Sequence, residues 1–180
     1  AWAPGERYDQ DGTPHVQCSR LLLRRTVARL ADSGLSIKTA FELEWVVSSG
    51  NDDELRPATT GPAYGLTRVI ELSDYCRDVV SALAAVGVEV EQFHPEYGVG
   101  QFELSVTSSS PVDAADTSAL ARATIRAVGQ RHGLRTSYAP KVLAEGVGNG
   151  GHVHLALGRD GRNRMAGGAG RLGFTPGWLF

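Results

Sequence analysis

The chain is poor in cysteine, in net charge and in long apolar runs, and each shortage removes a class of protein. Cys18 and Cys76 are its only cysteines. It is therefore not a disulfide scaffold, and no Cys-x-x-Cys pair offers zinc a thiolate site. One disulfide between the two stays open at this point. Net formal charge is −2, and the arginines are scattered, so no basic stripe invites nucleic acid or a membrane surface. No apolar stretch approaches the roughly 18 residues of a membrane span. The opening Ala1-Trp2-Ala3-Pro4-Gly5 lacks the charged and apolar regions of a signal peptide. Cytoplasm is the expected location.

What is present is ordinary for one globular domain: 180 residues, 42% hydrophobic and 21% charged. Three segments repeat one grammar of amphipathic helix, glycine and strand. The first runs from Ser19 through Leu22, Leu23, Val27 and Leu30 to Gly34, with a strand over Ile37 to Val47. The second runs from Ser73 through Val79, Leu83 and Val86 to Gly87, with a strand over Val88 to Phe93. The third opens on Ser110-Pro111-Val112-Asp113, an N-cap serine, a proline at the first helical position and a carboxylate at the third. It closes at Gly133 before a strand over Leu134 to Tyr138. Further strands are expected over Gly100 to Thr107 and His152 to Leu157. Ser48 to Gly65 reads as a polar surface excursion. Gly158 to Gly177 holds seven glycines and reads as a mobile loop. Thr175-Pro176-Gly177 resembles a helix start, so the chain is expected to be part of a longer protein.

Three short stretches carry chemistry. In Phe41-Glu42-Leu43-Glu44-Trp45 the alternation of a strand puts both glutamates on one face. Two carboxylates that close repel unless a positive charge lies between them. In Glu96-Tyr97-Gly98-Val99-Gly100-Gln101-Phe102-Glu103 a glycine-rich turn between strands draws its flanking acids together. In Gly148-Asn149-Gly150-Gly151-His152-Val153-His154 the two imidazoles share a strand face. Singly, each is ordinarily a solvated strand or hairpin. Together they form an oxygen-rich donor set that suits Mg²⁺ or Mn²⁺ better than zinc. Two such ions hold nucleotide phosphates and neutralise charge during phosphoryl transfer.

The order and spacing of these stretches resemble the glutamine synthetase catalytic domain. So do Ala139-Pro140-Lys141, Ala114-Ala115-Asp116 and His132-Gly133-Leu134, and the likeness runs from about Arg20 to Leu157. The resemblance implies an α+β fold, a mainly antiparallel curved sheet with amphipathic helices packed on one side. It implies that residues 1–180 are a partial catalytic domain, with the N-terminal β-grasp domain and the C-terminal catalytic segment outside it. It places one metal ion on Glu44, Glu96 and Glu103 and the other on Glu42 and His152, with a further glutamate supplied from downstream. It puts Glu91 and His154 near ATP and the backbone of Gly148 near the amino-acid substrate.

The family's chemistry is ATP-dependent ligation of a carboxylate to an amine through an acyl phosphate. Glutamate and ammonia are the expected substrates, and another amine or a polyamine is the alternative. A homo-oligomeric ring is expected of the full-length protein, and no reaction from this piece alone. Three departures stand out: Val147 where the family usually has asparagine, Val142 where it has proline, and Ala156 where a serine is common. A metal- and nucleotide-binding relative without catalysis, and a metal-dependent hydrolase, are the competing classes.

Overall fold

A computed structural model describes residues 2–50 and 54–165. In chain order the elements are α1 (Ser19–Asp32), β1 (Ser36–Ser49), β2 (Arg56–Pro57), α2 (Leu66–Glu71), α3 (Ser73–Ala85), β3 (Val90–Pro95), β4 (Gln101–Val106), α4 (Pro111–Arg131), β5 (Leu134–Ser137), β6 (Gly151–Arg159) and β7 (Arg162–Asn163). The strands make one sheet in the order β3-β4-β1-β6-β7, with β2 and β5 also pairing to β1. Contacts divide the chain into two compact units, and β1, α4 and β6 each run through both.

The larger unit comprises Phe41–Thr107 and Thr117–His152. Its core follows from period-two alternation. Leu43, Trp45 and Val47 of β1 and Phe102, Leu104 and Val106 of β4 are all buried in one cluster. Register makes this coherent, because Leu43 lies opposite Leu104 and Trp45 opposite Phe102 in the antiparallel β1–β4 ladder. Two helices close over this face: α3 contributes Tyr75, Cys76, Val79 and Leu83, and α4 contributes Ala121, Ile125 and Val128. Trp45 brings a polar atom into the core and satisfies it there, since its Nε1 donates to the Tyr75 hydroxyl at 2.9 Å. Burial holds that hydroxyl well above the usual phenol range. Burial likewise pushes the Cys76 thiol up to about 12.

The smaller unit comprises, among the described residues, 2–40, Ser108–Asp116 and 153–165. An ionic network ties its pieces together. The Arg20 guanidinium reaches Asp116 with Nη2 to Oδ2 at 2.9 Å and also bonds Glu6, which accepts from Arg24 at 2.6 Å. The start of α4 is capped as its sequence predicts: Asp113 N donates to Ser110 Oγ at 3.3 Å, and Ser110 Oγ donates to the Asp113 carboxylate at 2.7 Å.

The helix-glycine-strand grammar holds, with Gly34, Gly87 and Gly133 all at positive φ after their helices. Two expectations need correction. Ser48 to Gly65 is more than a surface excursion: Ser48 and Thr59 are buried, and β2 pairs with the end of β1. Gly158 to Met165 is also ordered, because β7 pairs antiparallel with β6. The helix start at Thr175 lies outside the described residues. Cys18 and Cys76 are both free thiols.

Candidate metal centre

With Leu43 and Trp45 committed to the core, Glu42 and Glu44 point from the other face of β1. Gln101 and Glu103 do the same on β4. The β1–β4 register sets Glu44 directly across from Glu103, and on the other side the β3–β4 register sets His94 opposite Glu103. β1, β3 and β4 thus deliver donors to one patch, β6 adds His152, and the turn after β3 adds Glu96. Donor atoms of Glu42, Glu103 and His152 lie within 4.8 Å of one another, as do those of His94, Glu96 and Glu103. Glu103 belongs to both groups. His152 Nδ1 is 2.7 Å from Glu42 Oε2, and His94 Nδ1 is 3.7 Å from Glu96 Oε1.

Glu96 and Glu103 are buried, at 6% and 8% exposure. Burial first, and then the neighbouring carboxylates of Glu42, Glu96 and Glu44, push the Glu103 carboxyl up to about 8. A carboxylate under that pressure gains from a cation beside it. The donors are oxygen-rich with one imidazole in each group, which fits a hard divalent ion such as Mg²⁺ or Mn²⁺.

The donors are held by groups that are not donors themselves. Gln101 is fully buried. Its Oε1 accepts from Gly98 N at 2.7 Å, and its Nε2 donates to Glu44 Oε2 at 2.9 Å, Gly148 O at 2.9 Å and Asn149 Oδ1 at 2.8 Å. Asn149 Nδ2 in turn donates to Ala139 O at 2.9 Å, which ties down the loop ahead of β6. Gly150 passes so close that a Cβ there would collide with Glu44 Oε1.

Arg68 on α2 is 2% exposed. Its Nη1 donates to Glu96 O at 2.7 Å, Gly98 O at 2.6 Å and Gln101 O at 3.3 Å, which clamps the turn that carries Glu96. Tyr64 has a left-handed backbone at φ 54°. Its ring lies 5.4 Å from that of His94 and edge-on to Tyr97 at 5.2 Å, and a hydrogen bond to Glu96 pushes its hydroxyl up. A non-glycine residue there is strained by about 1–2 kcal/mol, a cost most often met at functional sites.

Of the residues expected from the sequence, Glu42, Glu44, Glu96, Glu103 and His152 come together, and Gly148 joins them through Gln101. Glu96 lies just past the end of β3 in the turn. Glu91 is exposed on β3, at the register shift between Val90 and Gln92, and outside both donor groups. His154 lies on β6 and is half-buried. Sequence reasoning missed His94, Arg68 and Tyr64, and it missed the bridging role of Gln101. Only His94 had a usable signal, two residues before Glu96.

Residues 16–176 match the family model described as glutamine synthetase, catalytic domain. The chain is 57% identical over 178 residues to a gamma-glutamylpolyamine synthetase of Streptomyces coelicolor, covering 97% of this chain and 38% of that protein. It is 31% identical over 162 residues to a glutamine synthetase of Halobacterium salinarum, covering 88% of this chain and 36% of that one. Among solved structures, a glutamine synthase homologue superposes with a TM-score of 0.81 at 36% identity, over 89% of this chain and 37% of its own. The chain thus spans less than two-fifths of the length of these relatives. It belongs to the glutamine synthetase family.

Proposed function

We propose that the protein is an ATP-dependent ligase joining the side-chain carboxylate of glutamate to an amino group of a polyamine, and that these residues supply most of its metal centre. The observation that carries the reading is the convergence on Glu103. Two donor groups share one buried carboxylate whose proton is held up to about 8 by burial and by like charge. Glu44, Glu96 and Glu103, with His94 in reach, hold one Mg²⁺ or Mn²⁺, and Glu42 and His152 hold a second with a ligand from elsewhere in the protein. Bound there, the ions supply positive charge to the phosphates of ATP during transfer.

The chain's own groups do the positioning. Gln101 fixes Glu44 and the carbonyl of Gly148, so the amino-acid end and the metal end share one hinge point. Arg68 keeps the Glu96 turn from opening. Glu91 and His154 face the nucleotide, and the Gly148 backbone faces glutamate. In the reaction the terminal phosphoryl group of ATP passes to a carboxylate oxygen and ADP leaves. The amine nitrogen then attacks the acyl carbon, the C–O bond to phosphate breaks, and the amine proton goes to solvent.

Polyamine is preferred over ammonia because identity to the gamma-glutamylpolyamine synthetase is 57%, against 31% to the glutamine synthetase of Halobacterium. The test is to give the full-length protein ATP, glutamate, Mn²⁺ and a panel of amines and to measure phosphate release and product. Release that requires a polyamine is expected. Equal release without any amine indicates a hydrolase and sinks the reading. Glu44→Ala and Glu103→Ala are each expected to abolish Mn²⁺-dependent turnover, and wild-type rates in either would refute the metal assignment.

A further inference from the structure

Beside the metal centre, within the larger unit, lies an open cleft of about 240 Å³. It is lined by Tyr97, Gly98 and Val99, in the turn that also carries Glu96, and by Leu143 and Val147, with Glu145 between them in the chain. Leu143 is 42% exposed and Val147 55% exposed, so both present apolar surface to the cleft. Val147 directly precedes Gly148, whose carbonyl is bonded to the same Gln101 amide that holds Glu44. The cleft is thus lined by Tyr97, next in the chain to Glu96, and by Val147, next to Gly148.

We propose that this cleft is the amine subsite, and that it selects a linear alkyl diamine or polyamine through Val147, Leu143, Val99 and Glu145. The inference rests on the ligase reading above and assigns residues to its amine. Ammonia would leave the apolar walls without a partner. A chain of methylenes covers them, at roughly fourfold in affinity for each methylene fully buried. A plain alkyl chain satisfies the walls but not the acid, whereas a second ammonium at its far end meets the exposed Glu145 carboxylate. The face of Tyr97 adds a further surface favourable to a cation. Valine at position 147 fits the same logic, because a polar side chain there would break the apolar wall next to the reacting end.

The test uses the full-length protein with 1,4-diaminobutane, butylamine and ammonia as amines. Glu145→Gln is expected to raise KM for the diamine by about threefold to fivefold. Under that change kcat, the KM values for ATP and glutamate, and KM for butylamine are expected to stay as in wild type. Val147→Asp is expected to raise KM about tenfold or more for both alkyl amines, with an unchanged thermal midpoint showing that the fold is intact. If the wild-type protein uses the diamine but neither variant changes its KM, the cleft assignment is overturned and the ligase reading stands. If the wild-type protein ligates no amine at all, the ligase reading falls and takes the cleft with it.

Discussion

Gln101 shows how much a single amide can hold. Its Nε2 has two protons and three acceptors within 2.9 Å, on β1 and on the loop ahead of β6. Replacing it by leucine leaves the Glu44 carboxylate and two other half-buried acceptors without this donor. Each such orphan costs about 1–3 kcal/mol, more for a charge. Gln101→Leu is therefore expected to destabilise the protein by about 2–4 kcal/mol, read by chemical denaturation, and to weaken Mn²⁺ binding. A variant with wild-type stability would show that the network is incidental. Glu103 makes a second prediction at this scale. Its raised pKa favours the neutral form in the fold, so its contribution to the metal-free protein is full below about 4.5 and is lost as pH rises through about 8. A metal ion must displace that proton. Mn²⁺ affinity is accordingly expected to climb up to tenfold per pH unit until about 8 and then level off, with proton release visible by calorimetry in buffers of differing ionisation heat. Glu103→Gln should flatten the slope; an unchanged slope would assign the proton elsewhere.

Elements were legible where local chemistry alone decides them. The serine-proline start of α4, the glycines that end α1, α3 and α4, and the alternation of β1 each announce themselves within a few residues. Truncating the α4 cap by Ser110→Ala is expected to cost about 1 kcal/mol, measurable as a lower denaturation midpoint with unaltered metal affinity. What stayed hidden depends on partners distant in the chain. β2 is two residues long and exists because Ser48 and Ser49 offer it a ladder. α2 has six residues, too few for its apolar spacing to announce a helix, and is anchored by the buried Arg68 reaching three carbonyls nearly thirty or more positions away. The acids follow the same rule. Glu42 and Glu44 share a face by period two, which a sequence shows. That Glu103 stands between Glu44 and His94 follows from the registers of two ladders, which it does not.

For the whole molecule, a centre with donors from four strands and one turn couples ion binding to folding. Saturating Mn²⁺ at about a hundred times its dissociation constant is expected to stabilise the full-length protein by about 2.7 kcal/mol. The shift should appear in a thermal scan and be reversed by chelation. No shift at any metal concentration would contradict the assigned centre. The described residues contain no helix long and apolar enough to cross a membrane.

Cys76 offers a clock for all of this. Its thiol lies on the buried side of α3, in the core cluster, and is held up to about 12, so it stays inert to alkylating reagents while the helix is seated. Labelling can proceed only from states in which α3 has lifted. The alkylation rate of Cys76 therefore reports how often the floor of the metal centre comes apart, without any substrate or assay of turnover.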